Sequence, residues 1–170
     1  GLQLFQLQRA GGALALRAAR SLPWPAERES VLGDAKSLAA LIAEALGSRP
    51  FHGRRAVSAL GDPEVKLMVL SYSLEGQRSE PERILGLVAE RVGQPLESLV
   101  VDFQPIRMTG ESESERAALV AVARRENVIA HLECFRRAGL EIDALEIAPT
   151  AIRRLLQQMT GADPAENCIA

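Results

Sequence analysis

Between Ala117 and Leu156 an apolar run, an amphipathic helical pattern, a second apolar run and a second helical pattern follow one another with almost no linker. This β-α-β-α succession limits the possible folds more than any other stretch of the sequence. Ala118-Leu119-Val120-Ala121-Val122-Ala123 carries no charge and is bounded by Arg124, which suits a buried strand better than a helix. Val128, Leu132 and Phe135 then recur at helical spacing, and Ile129 widens the apolar stripe. Gly139 stops that helix, because glycine takes the left-handed conformation that closes a helix end, and Arg136 and Arg137 suit the negative end of its dipole. Ile142, Ala144, Leu145 and Ile147 predict the next strand, and Pro149 turns the chain into a helix carrying Ile152, Leu155, Leu156 and Met159.

Upstream, Leu2, Leu4 and Leu7 interleave with glutamines as in a strand, Gly11-Gly12 makes a turn, and Ala13 to Arg20 returns as a second strand with Leu14 and Leu16 on one face. After Pro23-Trp24-Pro25 the chain through Gly33 reads as a charged, irregular loop. Asp34 caps a helix with the stripe Leu38, Leu41, Ile42, Ala45 and Leu46, which Gly47 ends. Ala56 to Leu60 is a short strand, and Gly61-Asp62-Pro63 marks a boundary between subdomains. Val65 to Tyr72 is strand-like. Ser79 and Glu82 form a capping box for a helix that turns Ile84, Leu87 and Val88 inward and ends at Gly93. Leu99 to Ile106 is the next strand, and Met108 to Arg116 is a solvated tip where Glu111, Glu113 and Glu115 repel one another.

Nearly half of the 170 residues are apolar, enough for a sizeable core in one domain or two small ones. The net charge of −2 gives no basic field for phosphates, so nucleic acid is not an expected partner. Cys134 and Cys168 have no paired spacing and read as small apolar residues of a reducing compartment. No run reaches the length of a membrane helix, so no direct membrane insertion is expected. The chain begins with Gly inside an incipient strand, which reads as a chain cut at both ends.

Nucleophile elbows, zinc-protease helices and phosphate-cradling glycine loops are missing from the sequence. His52 and His131 are isolated; Glu133 and Cys134 near His131 do not share its side of a helix, so no metal ligands are assigned. Asp102, Glu141, Asp143 and Glu146 alternate with apolar neighbours and read as the solvent sides of strands, so no catalytic residues are assigned. Arg124 and Arg125, with Glu126, stand where a strand hands over to a helix, a place where α/β proteins often bind ligands. Glu126 is equally explained by the helix dipole; the two arginines are the candidate partner-binding residues, suited to an acidic peptide.

The order Ala123-Arg124-Arg125-Glu126 after a strand, Ala138-Gly139-Leu140 at a helix stop, Asp143 to Pro149, and Val101-Asp102-Phe103-Gln104 in an upstream strand resembles the actin-like PilM family of type IV pilus assembly proteins. The resemblance implies an α/β fold: a partial actin-like (ribonuclease H-like) subdomain 1A over residues 1–61, an inserted strand-helix-strand-strand subdomain (1C or SHS2) over 62–139, and a return segment over 140–170. It further implies a cytoplasmic scaffold, peripheral to the inner membrane, that docks the cytoplasmic peptide of a PilN-like bitopic partner in a pilus machine with other inner-membrane components. Within the same fold the alternatives are a type II secretion GspL-like or cell-division FtsA-like protein; an actin-like ATPase is the enzymatic alternative. Such ATPases hold the nucleotide with two loops bearing Asp-x-Gly, and no Asp-x-Gly occurs here. Gly1 falls just after the place of the first loop, and Cys168-Ile169-Ala170 resembles the strand leading to the second. The expected cofactor set of this chain is therefore none, with ATP and magnesium left to the full-length parent.

Overall fold

A computed structural model describes residues 1–47, 51–61, 64–76, 78–106 and 115–147. In chain order its elements are β1 (Leu2–Ala10), β2 (Ala13–Leu22), α1 (Arg28–Gly33), α2 (Ala35–Gly47), β3 (Arg55–Leu60), β4 (Val65–Ser73), α3 (Glu80–Val92), a 3-10 turn (Leu96–Ser98), β5 (Leu99–Ile106), β6 (Glu115–Arg124), α4 (Arg125–Arg137) and β7 (Glu141–Ile147). The helix expected after Pro149, Cys168, Glu111 and Glu113 lie outside the described residues. The chain divides into two compact units, the first holding Gly1–Ser58 and Ile129–Leu145, the second Ala59–Val128 with, of the later described residues, Glu146 and Ile147.

In the first unit β1 and β2 form an antiparallel hairpin closed by Gly11 and Gly12, both at positive φ (59° and 89°), as the alternation predicts. Leu2 and Leu4 on β1, with Leu22 on β2, join a core with Leu38, Leu41, Ile42, Ala45 and Cys134. The pairing slips between Gln6, opposite Ala18, and Leu7, opposite Leu16, so Arg17 is an extra residue. One extra residue sends every later side chain to the opposite face. Leu14 and Leu16, which by simple alternation share a face with buried Ala18 and Leu22, are thereby turned to solvent beside Phe5 and Leu7. Asp34 caps α2 as expected: its carboxylate accepts from the Lys36 and Ser37 N–H groups (3.1 and 3.3 Å) and from the Ser37 hydroxyl (2.6 Å). These bonds hold its pKa below the usual value, the Ser37 hydroxyl most of all.

Two expectations fail in this unit. The stretch before Gly33 is not irregular: Arg28–Gly33 is a short helix, and it buries Val31 in the core. With six residues it makes less than two turns, too few for periodicity to reveal. On α4, Ile129 and Leu132 are exposed (58% and 38%), whereas Cys134 is buried and Phe135 and Ala138 pack against the core. The buried line is rotated from the apolar stripe because polar anchors face inward: His131 Nε2 lies 2.8 Å from Ser58 Oγ, with its ring 4.9 Å from that of Phe135, and Cys134 Sγ lies 3.7 Å from the Ala35 carbonyl oxygen.

The second unit is a three-stranded antiparallel sheet in the order β4-β6-β5 with α3 against one face. Strict period-two alternation sorts the side chains. Leu70 and Tyr72 of β4, Ala118, Val120 and Val122 of β6, and Leu99 of β5 meet Ile84 and Val88 of α3 in one core. The Ser79 N–H and hydroxyl both donate to Glu82 (2.8 and 2.7 Å) at the start of α3, and Gly93 at φ 66° ends it, as the capping box and glycine predict. β6 is longer than its apolar run. It starts at Glu115, opposite Ser73, so Glu115 and Arg116 belong to the strand and not to the loop assigned to them. Ladder pairing with β4 carries the strand past the point where hydrophobicity ends.

Candidate interaction site at a strand-helix junction

The junction between β6 and α4 lies where the sequence places it: Arg124 is the last residue of β6, opposite Leu99, and Arg125 the first of α4. The two arginines have different surroundings. Arg125 reaches back to the neighbouring strand, its Nε donating to the Glu97 carbonyl (2.7 Å) and its Nη2 to the Leu99 carbonyl (3.3 Å). A guanidinium at the positive end of a helix dipole is unfavourable there, and these two carbonyls offset that by fixing the 3-10 turn against β5. Arg124 is largely exposed, with one long contact to Glu126 (Nη1 to Oε1, 3.5 Å) between side chains 61% and 73% exposed. Water competes for that pair, so the Arg124 fork remains accessible to an acidic or carbonyl-rich ligand.

Two of the acids weighed as catalytic candidates are engaged within their own units. Asp102 Oδ1 accepts from the Phe103 N–H (2.9 Å), and Asp143 Oδ1 accepts from Arg55 Nε (2.8 Å), linking β7 to the start of β3. Among the described residues no group of three or more His, Cys, Asp or Glu is placed to hold a metal ion. His52 is fixed through its backbone, whose N–H donates to Gln6 Oε1 and whose carbonyl accepts from Gln6 Nε2. Burial raises the Cys134 thiol above its ordinary pKa, away from the thiolate that nucleophilic chemistry needs. Sequence reasoning missed the Ser58–His131 and Arg55–Asp143 pairs, which join residues 73 and 88 positions apart, and the backbone acceptors of Arg125. No local spacing signals such pairs. No helix among the described residues is long and apolar enough to cross a membrane.

No protein-family model matches the chain. Among solved structures it is similar to a chain of the PilM–PilN type IV pilus biogenesis complex, with 27% identity and a TM-score of 0.70 over 92% of this chain and 47% of that one. It shares its fold at 14% identity, with a TM-score of 0.50, with the cytoplasmic domain of EpsL, an inner-membrane component of the type II secretion system of Vibrio cholerae, over 85% of this chain and 52% of that one. The chain thus spans about half the length of the structures it matches. Its mixed α/β architecture, in which a strand-helix-strand-strand unit lies between segments of another unit, is that of a PilM-like fragment of the actin-like fold.

Proposed function

We propose that the chain acts in a type IV pilus assembly machine as a cytoplasmic scaffold, docking the cytoplasmic peptide of a bitopic inner-membrane partner of the PilN kind. The observation that carries this reading is the match to a chain of the PilM–PilN complex over 92% of the present chain. The accessible Arg124 guanidinium supports it, since its fork suits a carboxylate or carbonyl of an incoming peptide. A type II secretion role is the second reading. It rests on the EpsL likeness, whose lower identity supports a common fold and less. The division of this chain into a partial 1A subdomain and an inserted SHS2 subdomain belongs to the same proposal. So does the absence of nucleotide chemistry, since the sequence contains no Asp-x-Gly.

Titration of a labelled N-terminal peptide of the PilN-like protein from the same genome tests the docking. Saturable binding is expected, and Arg124→Glu weakens it about tenfold or more, the worth of one charged hydrogen bond at an interface. Arg125 is unsuited to charge reversal because it holds Glu97 and Leu99. Failure of the wild-type chain to bind this peptide, while binding the equivalent peptide of a type II secretion partner, would transfer the protein to the second reading. Calorimetry with ATP and magnesium should give no saturable heat; micromolar binding would overturn the non-nucleotide part.

A further inference from the structure

The three-stranded sheet has two edges, and they are built differently. In an antiparallel strand the N–H and C=O of one residue point to the same side, and successive residues alternate. On β5 the Leu99 carbonyl is taken by Arg125 Nη2, the Phe103 N–H by Asp102 Oδ1, and Pro105 has no N–H to give. These are alternate residues, so Leu99, Val101, Phe103 and Pro105 face away from β6, and three of the four are closed to an incoming strand. The register then fixes the other edge. Val101 and Phe103 stand opposite Val122 and Val120, which direct their backbone groups to β4 and meet Lys66 and Met68 there. The outward backbone groups of β4 are consequently those of Val65, Leu67, Val69, Ser71 and Ser73, and among the described residues none of them has a strand partner. β4 has no proline, one charge (Lys66), and exposed Leu67 and Val69 beside its edge (36% and 48%). An edge of this kind is a template for an added strand.

We propose that the β4 edge is a self-association site, at which two copies of the chain pair β4 with β4, antiparallel and centred on Val69. The sequence of the strand is self-complementary in that register. Val69 meets its own copy, Leu67 meets Ser71, and Lys66 falls opposite Tyr72. The Tyr72 hydroxyl donates to Glu80 Oε1, so an exposed ammonium from one copy arrives beside a carboxylate of the other. The two-fold axis makes this contact twice, and no like charges oppose each other. This match of charge favours a second copy over an unrelated strand, and it stands independently of the docking reading above.

Sedimentation equilibrium of the full chain should show a reversible dimer with a dissociation constant on the order of 10–100 µM, as suits a small edge interface. Lys66→Glu and Glu80→Lys each place like charges across the axis, and each alone should raise that constant about tenfold or more. Their equimolar mixture restores both pairs and should return to a dimer close to wild-type strength. Val69→Pro removes one outward N–H, leaves the β4–β6 ladder intact, and should abolish dimerisation with an unchanged circular dichroism spectrum. Amide exchange at Leu67 and Val69 that slows with rising protein concentration supports the site without any substitution. A wild-type chain that stays monomeric throughout this range, whether or not it captures a foreign strand, overturns the proposal. So does a mixture no more dimeric than its components.

Discussion

Helices α3 and α4 have 13 residues each, yet α3 turns its apolar stripe inward, whereas α4 packs Phe135 of its stripe against a core and leaves Ile129 and Leu132 to solvent. Ile84 and Val88 of α3 are fully buried against β4 and β6, while Ile129 and Leu132 of α4 are exposed and Cys134 takes the buried place. The difference lies in what each helix packs on. α3 rests on a sheet face lined by Leu70, Tyr72, Val120 and Val122. Glu80, which accepts from the Tyr72 hydroxyl, lies four residues before Ile84 on the same side of the helix, so hydrophobic area and hydrogen bonding set the same rotation. α4 carries His131 and Cys134, whose distant hydrogen-bond partners, Ser58 Oγ and the Ala35 carbonyl, reward turning those side chains inward. Hydrophobic periodicity locates a helix in both cases. It gives the rotation where the polar contacts of the helix lie on its apolar side, as Glu80 does on α3, and not where they lie off it, as on α4.

The sharpest way to break this contrast is at its strongest point. Ile84→Ala empties a site with no exposure at the centre of the second core and should cost about 2–5 kcal/mol, read as a shift in denaturant midpoint at constant slope. A cost below about 1 kcal/mol would mean that α3 does not hold the sheet face, and the claim that area sets its rotation would go with it.

On α4 two substitutions distinguish the buried line from the apolar stripe. Phe135 is half-buried against the first core, so Phe135→Ala should cost about 2 kcal/mol, less than the removal of a fully enclosed ring. Leu132→Ala should fall within about 0.5 kcal/mol of wild type. The reverse order of effects would restore the stripe written in the sequence and void the rotation.

Which features were legible follows the same division. The hairpin turn, both capping motifs, the β4-α3-β5-β6 succession and the strand-helix junction depend on residues close together in sequence, and each lies where its local chemistry puts it. The extra residue at Arg17 was not legible, because a register slip is a property of two strands and the Leu14–Leu16 alternation reads identically with or without it. Helix α1 was hidden by its brevity, with Val31 its one buried anchor among the described side chains. At the candidate site the position of Arg124 and Arg125 was readable, but their unlike roles were not. The acceptors of Arg125 are carbonyls 28 and 26 residues away, and a backbone carbonyl leaves no mark in a sequence.

The two helices also differ in how they hold a carboxylate, and this gives the smallest expected effect. Glu82 sits at the start of α3 and is lowered in pKa chiefly by the Ser79 hydroxyl, whereas Glu133, near the end of α4, is lowered to about 2 by Arg136 and then Arg137, at 2.7 and 3.1 Å. Because the folded pKa of Glu133 lies below its ordinary value of 4.5, the folded state binds its proton less readily than the unfolded one. The stability it confers is therefore complete above about pH 4.5 and is lost as the pH falls toward about 2. Glu133→Gln should be slightly less stable than wild type at neutral pH and converge with it across that window. Salt should shrink the difference, since both arginines are exposed and their attraction is screened. The Glu82→Gln difference should be less sensitive to salt, because a hydroxyl and a backbone N–H, not a cation, hold that carboxylate. Equal salt sensitivity in the two variants would show that the arginines are not what sets Glu133 apart.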